Sequence, residues 1–227
     1  NFVPYFGSSN KSSPKYSIVT TVSFLHYTDA LMDEYNSSSS HSIVSSSSIP
    51  SPVYAYIKED SEDNTKTNMI IFCENIIDMP INCNDLFKGW SNLKNLDFSN
   101  ADFSKVTSMS YFLFKTKVEE FVFPKIKSLN SVSYMFSGSG ATEDNDYIKR
   151  VDFSNVEKFN NVSLFGVFVH CPNLEEIVFG HVNVVGSVDM NFFMDKSPKI
   201  KILDFSNWDL SGGVSLQAAF LNSSLEK

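Results

Sequence analysis

One phrase limits the folds open to this chain more than any other. Asp-Phe-Ser-Asn stands at Asp97–Asn100, Asp152–Asn155 and Asp204–Asn207. It belongs to a wider pattern, apolar-x-x-apolar-x-Phe, with five copies. They are Leu93-Lys-Asn-Leu96-Asp97-Phe98, Val118-Glu-Glu-Phe121-Val122-Phe123, Ile148-Lys-Arg-Val151-Asp152-Phe153, Leu174-Glu-Glu-Ile177-Val178-Phe179 and Ile200-Lys-Ile-Leu203-Asp204-Phe205. The final Phe recurs at steps of 25, 30, 26 and 26 residues, and the long step contains GSGATEDNDY, which reads as a loop insertion. Three places after each Phe comes Ala101, Ile126, Val156, Val182 or Trp208. Further on lies an aromatic or Met-rich patch: MSYFLF, VSYMFSG, VSLFGVF, MNFFM and LQAAF.

A unit of this length cannot bury its own apolar face, so neighbouring units must stack to share a core. The period and the short apolar strand predict an α/β or mostly β solenoid, a leucine-rich-repeat stack of about 25–26-residue units with a parallel sheet on one face. The recurring aromatic patches read as core. Side chains alternate along a strand, which directs Leu96 and Phe98 inward and Asn95, Asp97 and Ser99 outward. Stacking then predicts two outward columns: Asp97, Val122, Asp152, Val178, Asp204, beside Asn95, Glu120, Arg150, Glu176, Ile202. Placing Val between successive Asp residues spaces like charges about 9.6 Å apart, two strand separations, which relieves repulsion.

The run LDFSNADFSKVTSMSYF resembles the unit LDLSNFDTSNVTDMSYMFSGC of BspA-like leucine-rich-repeat surface proteins, the mycoplasma lipoprotein-type subgroup. Leu96–Asn100 matches its start, Ser104–Tyr111 its middle and Ser133–Gly138 its end. The segments Val53–Ile57, Met69–Phe72 and Asn82–Phe87 look like the lead-in hairpin and first half-repeat. The chain departs in carrying Phe where the family prefers Leu, and only Cys171 keeps the family's Cys slot. The resemblance implies an extracellular or cell-surface-anchored protein engaged in adhesion or host-protein binding. It carries over no catalytic residue.

This divides the chain into 1–52, an N-terminal cap or the tail of a preceding domain with a Ser-rich linker; 53–92, the lead-in hairpin and first half-repeat; and 93–227, the repeats. Tyr16–Tyr27 is β-branched and aromatic, a strand pattern, and Thr28–Tyr35 reads as two helical turns opened by a Thr cap. Residues 36–52 hold ten Ser and two Pro, a linker composition. The start without Met suggests a processed or shortened chain that has lost a targeting segment. At the far end, residues 223–227 fall where a further repeat would begin.

Chemistry is harder to find. The net charge of −8 argues against nucleic acid, and no apolar run is long enough to span a membrane. Cys73, Cys83 and Cys171 form no framework and no C-x-x-C pair, so they read as small buried residues. His170 and Cys171 are adjacent, and on an extended segment they point apart rather than forming a dyad. His26, His41 and His181 fit no motif. The acidic stretches Glu59–Asp63 and Glu143–Asp146 lack EF-hand spacing and read as solvated loops. The sequons at Asn10, Asn36, Asn161 and Asn222 read as chance in a Ser- and Asn-rich chain.

The expectation is therefore a non-enzymatic protein without a cofactor or metal. Its partner would be a protein, a host-surface or extracellular-matrix component, held through the outward face at Asn95, Asp97, Glu120, Arg150, Asp152, Glu176 and Asp204. A partner with a basic patch would suit this face. The alternative is a structural spacer or coat component of a larger surface protein.

Overall fold

The computed structural model describes residues 18–44, 51–60, 63, 65–137 and 145–226. The first part of the expected cap (1–17), part of the Ser-rich linker (45–50) and most of the expected insertion (138–144) lie outside the described residues, as do parts of both acidic stretches. The chain divides into two compact units, Asn1–Pro80 with Trp90–Phe103, and Ile81–Gly89 with Ser104–Lys227. Among the described residues there are four sheets, mostly parallel, one α-helix and no closed barrel.

The first unit contains β1 (Thr21–His26), α1 (Asp29–Ser37), β2 (His41–Ile43), β3 (Tyr54–Glu59), β4 (Thr67–Cys73), β5 (Ile77–Asp78), β6 (Asn95–Asp97) and β7 (Ala101–Asp102). Its five-stranded sheet runs β2-β3-β4-β1-β6. The β3–β4 hairpin is antiparallel, whereas β1 lies parallel between β4 and β6. That place suits β1, whose Val22 and Phe24 are fully buried. Buried Thr20 and Thr67 lock this edge: the Thr20 hydroxyl donates to the Thr67 carbonyl (3.1 Å) and accepts from its N–H (3.0 Å). The Thr28 hydroxyl accepts from the Leu31 N–H at 3.2 Å, satisfying an otherwise orphaned donor at the start of α1. Tyr35 of α1 packs with Tyr56 and Phe72 in an aromatic cluster.

The second unit contains β8 (Glu120–Val122), β9 (Leu129–Ser131), β10 (Arg150–Asp152), β11 (Lys158–Ser163), β12 (Glu176–Val178), β13 (Asn183–Asp189) and β14 (Val214–Ser215). Two parallel ladders run through it, β8-β10-β12 and β9-β11-β13-β14. The inward Phe of the repeated phrase forms a column: Phe123 stacks on Phe153 at 4.3 Å, Phe153 on Phe179 at 5.5 Å, and Phe179 meets Phe205 at 5.4 Å. Ring stacking at this spacing holds successive units in register. The phrase at 200–205 forms no strand; the Lys201 carbonyl instead accepts the Glu226 N–H at 2.9 Å.

Six six-residue turns stack in the same unit: 84–89, 110–115, 133–138 (described to 137), 165–170, 191–196 and 217–222. Wherever described, their second and sixth residues have left-handed φ between +53° and +78°: Asp85, Tyr111, Tyr134, Gly166, Phe192 and Ala218, then Gly89, Lys115, His170, Lys196 and Asn222. Most are not glycine, and each costs about 1 kcal/mol or more. Hydrogen bonding offsets the strain. N–H groups at the second, fourth and sixth positions point at carbonyls of the next turn: Asp85 to Ser110, Phe87 to Phe112, Gly89 to Phe114, and likewise Gly166 to Asn191, Phe168 to Phe193, His170 to Asp195. Turns at 110–115 and 133–137 are joined through the Tyr111 N–H and the Ser133 carbonyl.

The aromatic patches divide accordingly. Phe112, Phe136, Phe168 and Phe193 are buried, but Tyr111, Tyr134, Phe165 and Phe192 are only half-buried and pack on one another at 5.1–5.6 Å. The expectation that whole patches are core therefore holds for one residue set; the half-buried aromatics stand at the left-handed second position (Tyr111, Tyr134, Phe192) or just before it (Phe165).

Beside the turns, β11 bulges at Asn161 (φ +46°), whose side-chain oxygen accepts the Ser187 N–H at 3.2 Å. Gly186 lies against that amide with φ +77°, and a Cβ there would overlap it. Gly89 has φ +78° with open space around it. We expect Gly186→Ala to lower the unfolding free energy by roughly 2–4 kcal/mol and Gly89→Ala by about 1 kcal/mol. Urea midpoints check this, and equal losses would show that crowding at the bulge contributes nothing.

Candidate functional site

The outward face of β8, β10 and β12 is built by register. Arg150 stands between Glu120 and Glu176, and Asp152 between Val122 and Val178. Three-residue strands flanked by buried Phe121, Phe123, Val151 and Phe153 leave these side chains no inward alternative. Of the expected site residues, Glu120, Arg150, Asp152 and Glu176 are thus brought together. Asn95 and Asp97 belong to the first unit, where they face Thr21 and Ser23 of β1. Asp204 lies on the extended 201–205 segment outside any strand.

The carboxylates of the repeated phrase have structural partners. Oδ1 of Asp97, Asp152 and Asp204 accepts the N–H of the residue two places on: Ser99 (2.9 Å), Ser154 (2.8 Å) and Ser206 (2.8 Å). This is an Asx turn, and at Asp97 and Asp152 it ends a strand. The Asn of the phrase reaches sideways, from Asn155 Nδ2 to the Phe123 carbonyl (3.0 Å) and from Asn100 Nδ2 to the Leu25 carbonyl (2.9 Å). In the first two copies DFSN therefore spells inward ring, turn closure and a sideways strut.

Arg150 is the electrostatic centre of the face. Its Nη2 donates to Asp152 Oδ2 at 2.7 Å and its Nε to Glu176 Oε2 at 2.6 Å. The Asp152 carboxylate foremost, with Glu176, holds the guanidinium above its ordinary pKa. Partial burial opposes ionisation of Asp152, but bonds from Ser154 and Arg150 outweigh it and leave the carboxyl below its usual range. Next to this column is a second one absent from the sequence expectation: Lys149 Nζ donates to Glu119 at 2.7 Å, Lys199 to Glu175 at 3.1 Å, and Lys201 approaches Glu226 at 3.5 Å. The Lys149–Glu119 pair was signalled by the alternation of sign at the position after each opening apolar residue, Glu119, Lys149, Glu175, Lys201; Glu175 and Lys201 instead take Lys199 and Glu226. Opposite charges on neighbouring strands attract. The face is consequently a mosaic of paired charges around Val122, which is 50% exposed.

A concavity in the first unit is lined by Glu34, Ser38, Tyr56, Lys58 and Thr67. Its carboxylate is already engaged: Tyr56 donates to Glu34 at 2.6 Å and Lys58 at 2.9 Å, and the Tyr56 bond leads in holding Glu34 below its ordinary pKa. All three cysteines are buried and none is in a disulfide among the described residues, and burial pushes the Cys83 thiol up to about 12. Among the described residues no cluster of three His, Cys, Asp or Glu side chains is placed to hold a metal ion, and no helix is long and apolar enough to cross a membrane.

No family model matches the chain, and no curated protein or solved structure matches it.

A carboxyl with a lowered folded-state pKa contributes stability above the ordinary carboxylate range and loses it as pH falls through the lowered value. Asp152→Asn should lower the urea midpoint at pH 7, and the gap from the parent protein should close below about pH 4. A gap independent of pH would place the effect in shape rather than charge.

Proposed function

We propose that the chain is a non-enzymatic surface repeat protein of the leucine-rich-repeat type, built from stacked units of about 26 residues, which binds a protein partner outside the cell. The observation that carries this reading is the preformed face of β8, β10 and β12, where Val122 stands half-exposed within a fixed array of Glu120, Arg150, Asp152 and Glu176. Strands locked in register lose little entropy on binding, and an apolar centre with a polar rim is the usual anatomy of a protein interface. Because Asp152 and Glu176 are already paired with Arg150, and Glu119 beside them with Lys149, a partner of mixed charge fits better than a purely basic one.

Binding of the purified chain to a panel of extracellular-matrix proteins, at low and physiological salt, tests the reading. Saturable binding that Val122→Asp with Glu120→Lys weakens at least tenfold is expected; both side chains are exposed, so the fold should survive. Binding that these changes leave intact would move the site elsewhere.

The second reading is a spacer that holds other parts of a larger surface protein at a distance. One observation favours it: Asp97, Asp152 and Asp204 all close turns, which is reason enough for their recurrence. A folded chain that binds nothing across the panel would select it.

A further inference from the structure

The face of β8, β10 and β12 carries one carboxylate that the chain leaves unanswered. Asp152 and Glu176 both bond Arg150, and on the ridge beside them Glu119 and Glu175 take Lys149 and Lys199. Glu120 lies opposite Arg150 in register, yet the bonds of the guanidinium go to Asp152 and Glu176. The charge of Glu120 is felt at Lys149, but that ammonium bonds Glu119 at 2.7 Å. Among the described residues Glu120 makes neither an ion pair nor a side-chain hydrogen bond, and it is exposed.

Glu120 and Val122 stand two residues apart on β8, so they project from the same side, about 7 Å from each other. Val122 is 50% exposed and has Asp152 beside it in register. A partner that covers Val122 therefore strips water from Glu120 as well. A carboxylate desolvated without a counter-charge strongly opposes association. Asp152 and Glu176 make no such demand, because Arg150 already answers both.

Resting on the reading of this surface as the binding face, we infer that its partner presents one basic side chain, Lys or Arg, on Glu120 and an apolar one on Val122, the two about 7 Å apart. A second basic group would meet Arg150, and an acid would meet Glu120, so neither a polybasic nor an acidic segment fits. Glu120 sets specificity through charge, and Val122 supplies area removed from water. Salt should weaken binding only gently, because it screens a single pair.

The test takes an extracellular-matrix protein that the full chain binds saturably and follows its binding to variants of this face over a salt series. Glu120→Gln should weaken binding about fivefold at low salt and remove the salt dependence, and Glu120→Lys should weaken it further. Arg150→Gln leaves Asp152 and Glu176 without their cation and should speed association, with circular dichroism checking the fold. Val122→Asp alone reports on the face itself. If Val122→Asp weakens binding while Glu120→Gln changes neither affinity nor salt response, the face stands and the inferred basic group does not. Tighter binding by Glu120→Gln, or slower association by a folded Arg150→Gln chain, would put an acid of the partner here and equally overturn the inference. Binding indifferent to Val122→Asp, or none across the panel, would remove the face and this inference together.

Discussion

The second unit depends on one constraint, the hydrogen-bond ladder between its turns. Each turn forces residues such as Tyr111, Tyr134, Phe192 and Lys196 into left-handed backbone, an unfavourable state for any side chain with a Cβ. Alternate N–H groups consequently face either back into their own turn or on to the next. Phe114 donates to Tyr111 within its turn, while Phe87 donates across to Phe112. Buried donors such as the Phe87, Phe136 and Phe168 N–H groups are thereby matched, as burial of backbone requires. The spacing this imposes brings Phe123, Phe153 and Phe179 into one ring column and sets β8, β10 and β12 in register.

The face and the ladder are linked through the same residues. Asp152 ends β10 by accepting the Ser154 N–H and at the same time takes one arm of Arg150. Arg150 passes that constraint to Glu176 on the adjacent strand. A carboxylate used in this way is rigid, and its charge is largely answered before any partner arrives. The proposed interface thus owes more to shape and to exposed Val122 than to net acidity, although the chain as a whole is acidic.

The strand columns were legible because their signal is local: a period of two within each phrase, repeated about every 26 residues, fixes which side chains point out. Glu120, Arg150 and Glu176 meet as that arithmetic requires. The cap at Thr28 was legible for the same reason. The left-handed turns were not, since only Gly89 and Gly166 advertise such backbone, and Tyr, Phe, Lys and His at equivalent places do not. The place of β1 between β4 and β6 was also hidden: it pairs Thr21 with Asn68 and Asn95, and contacts so distant in sequence leave no periodic trace. The Lys149–Glu119 column could have been found from alternating sign, a pattern as regular as that of Asp97, Asp152 and Asp204.

Hydrogen exchange followed amide by amide tests the ladder most directly. Protection in the turns should fall on the alternate set that crosses between turns, including Phe87, Phe136, Phe168 and Met194. Uniformly rapid exchange at Phe87, Phe136, Phe168 and Met194, in a chain whose β11 and β13 amides remain protected, would contradict the account.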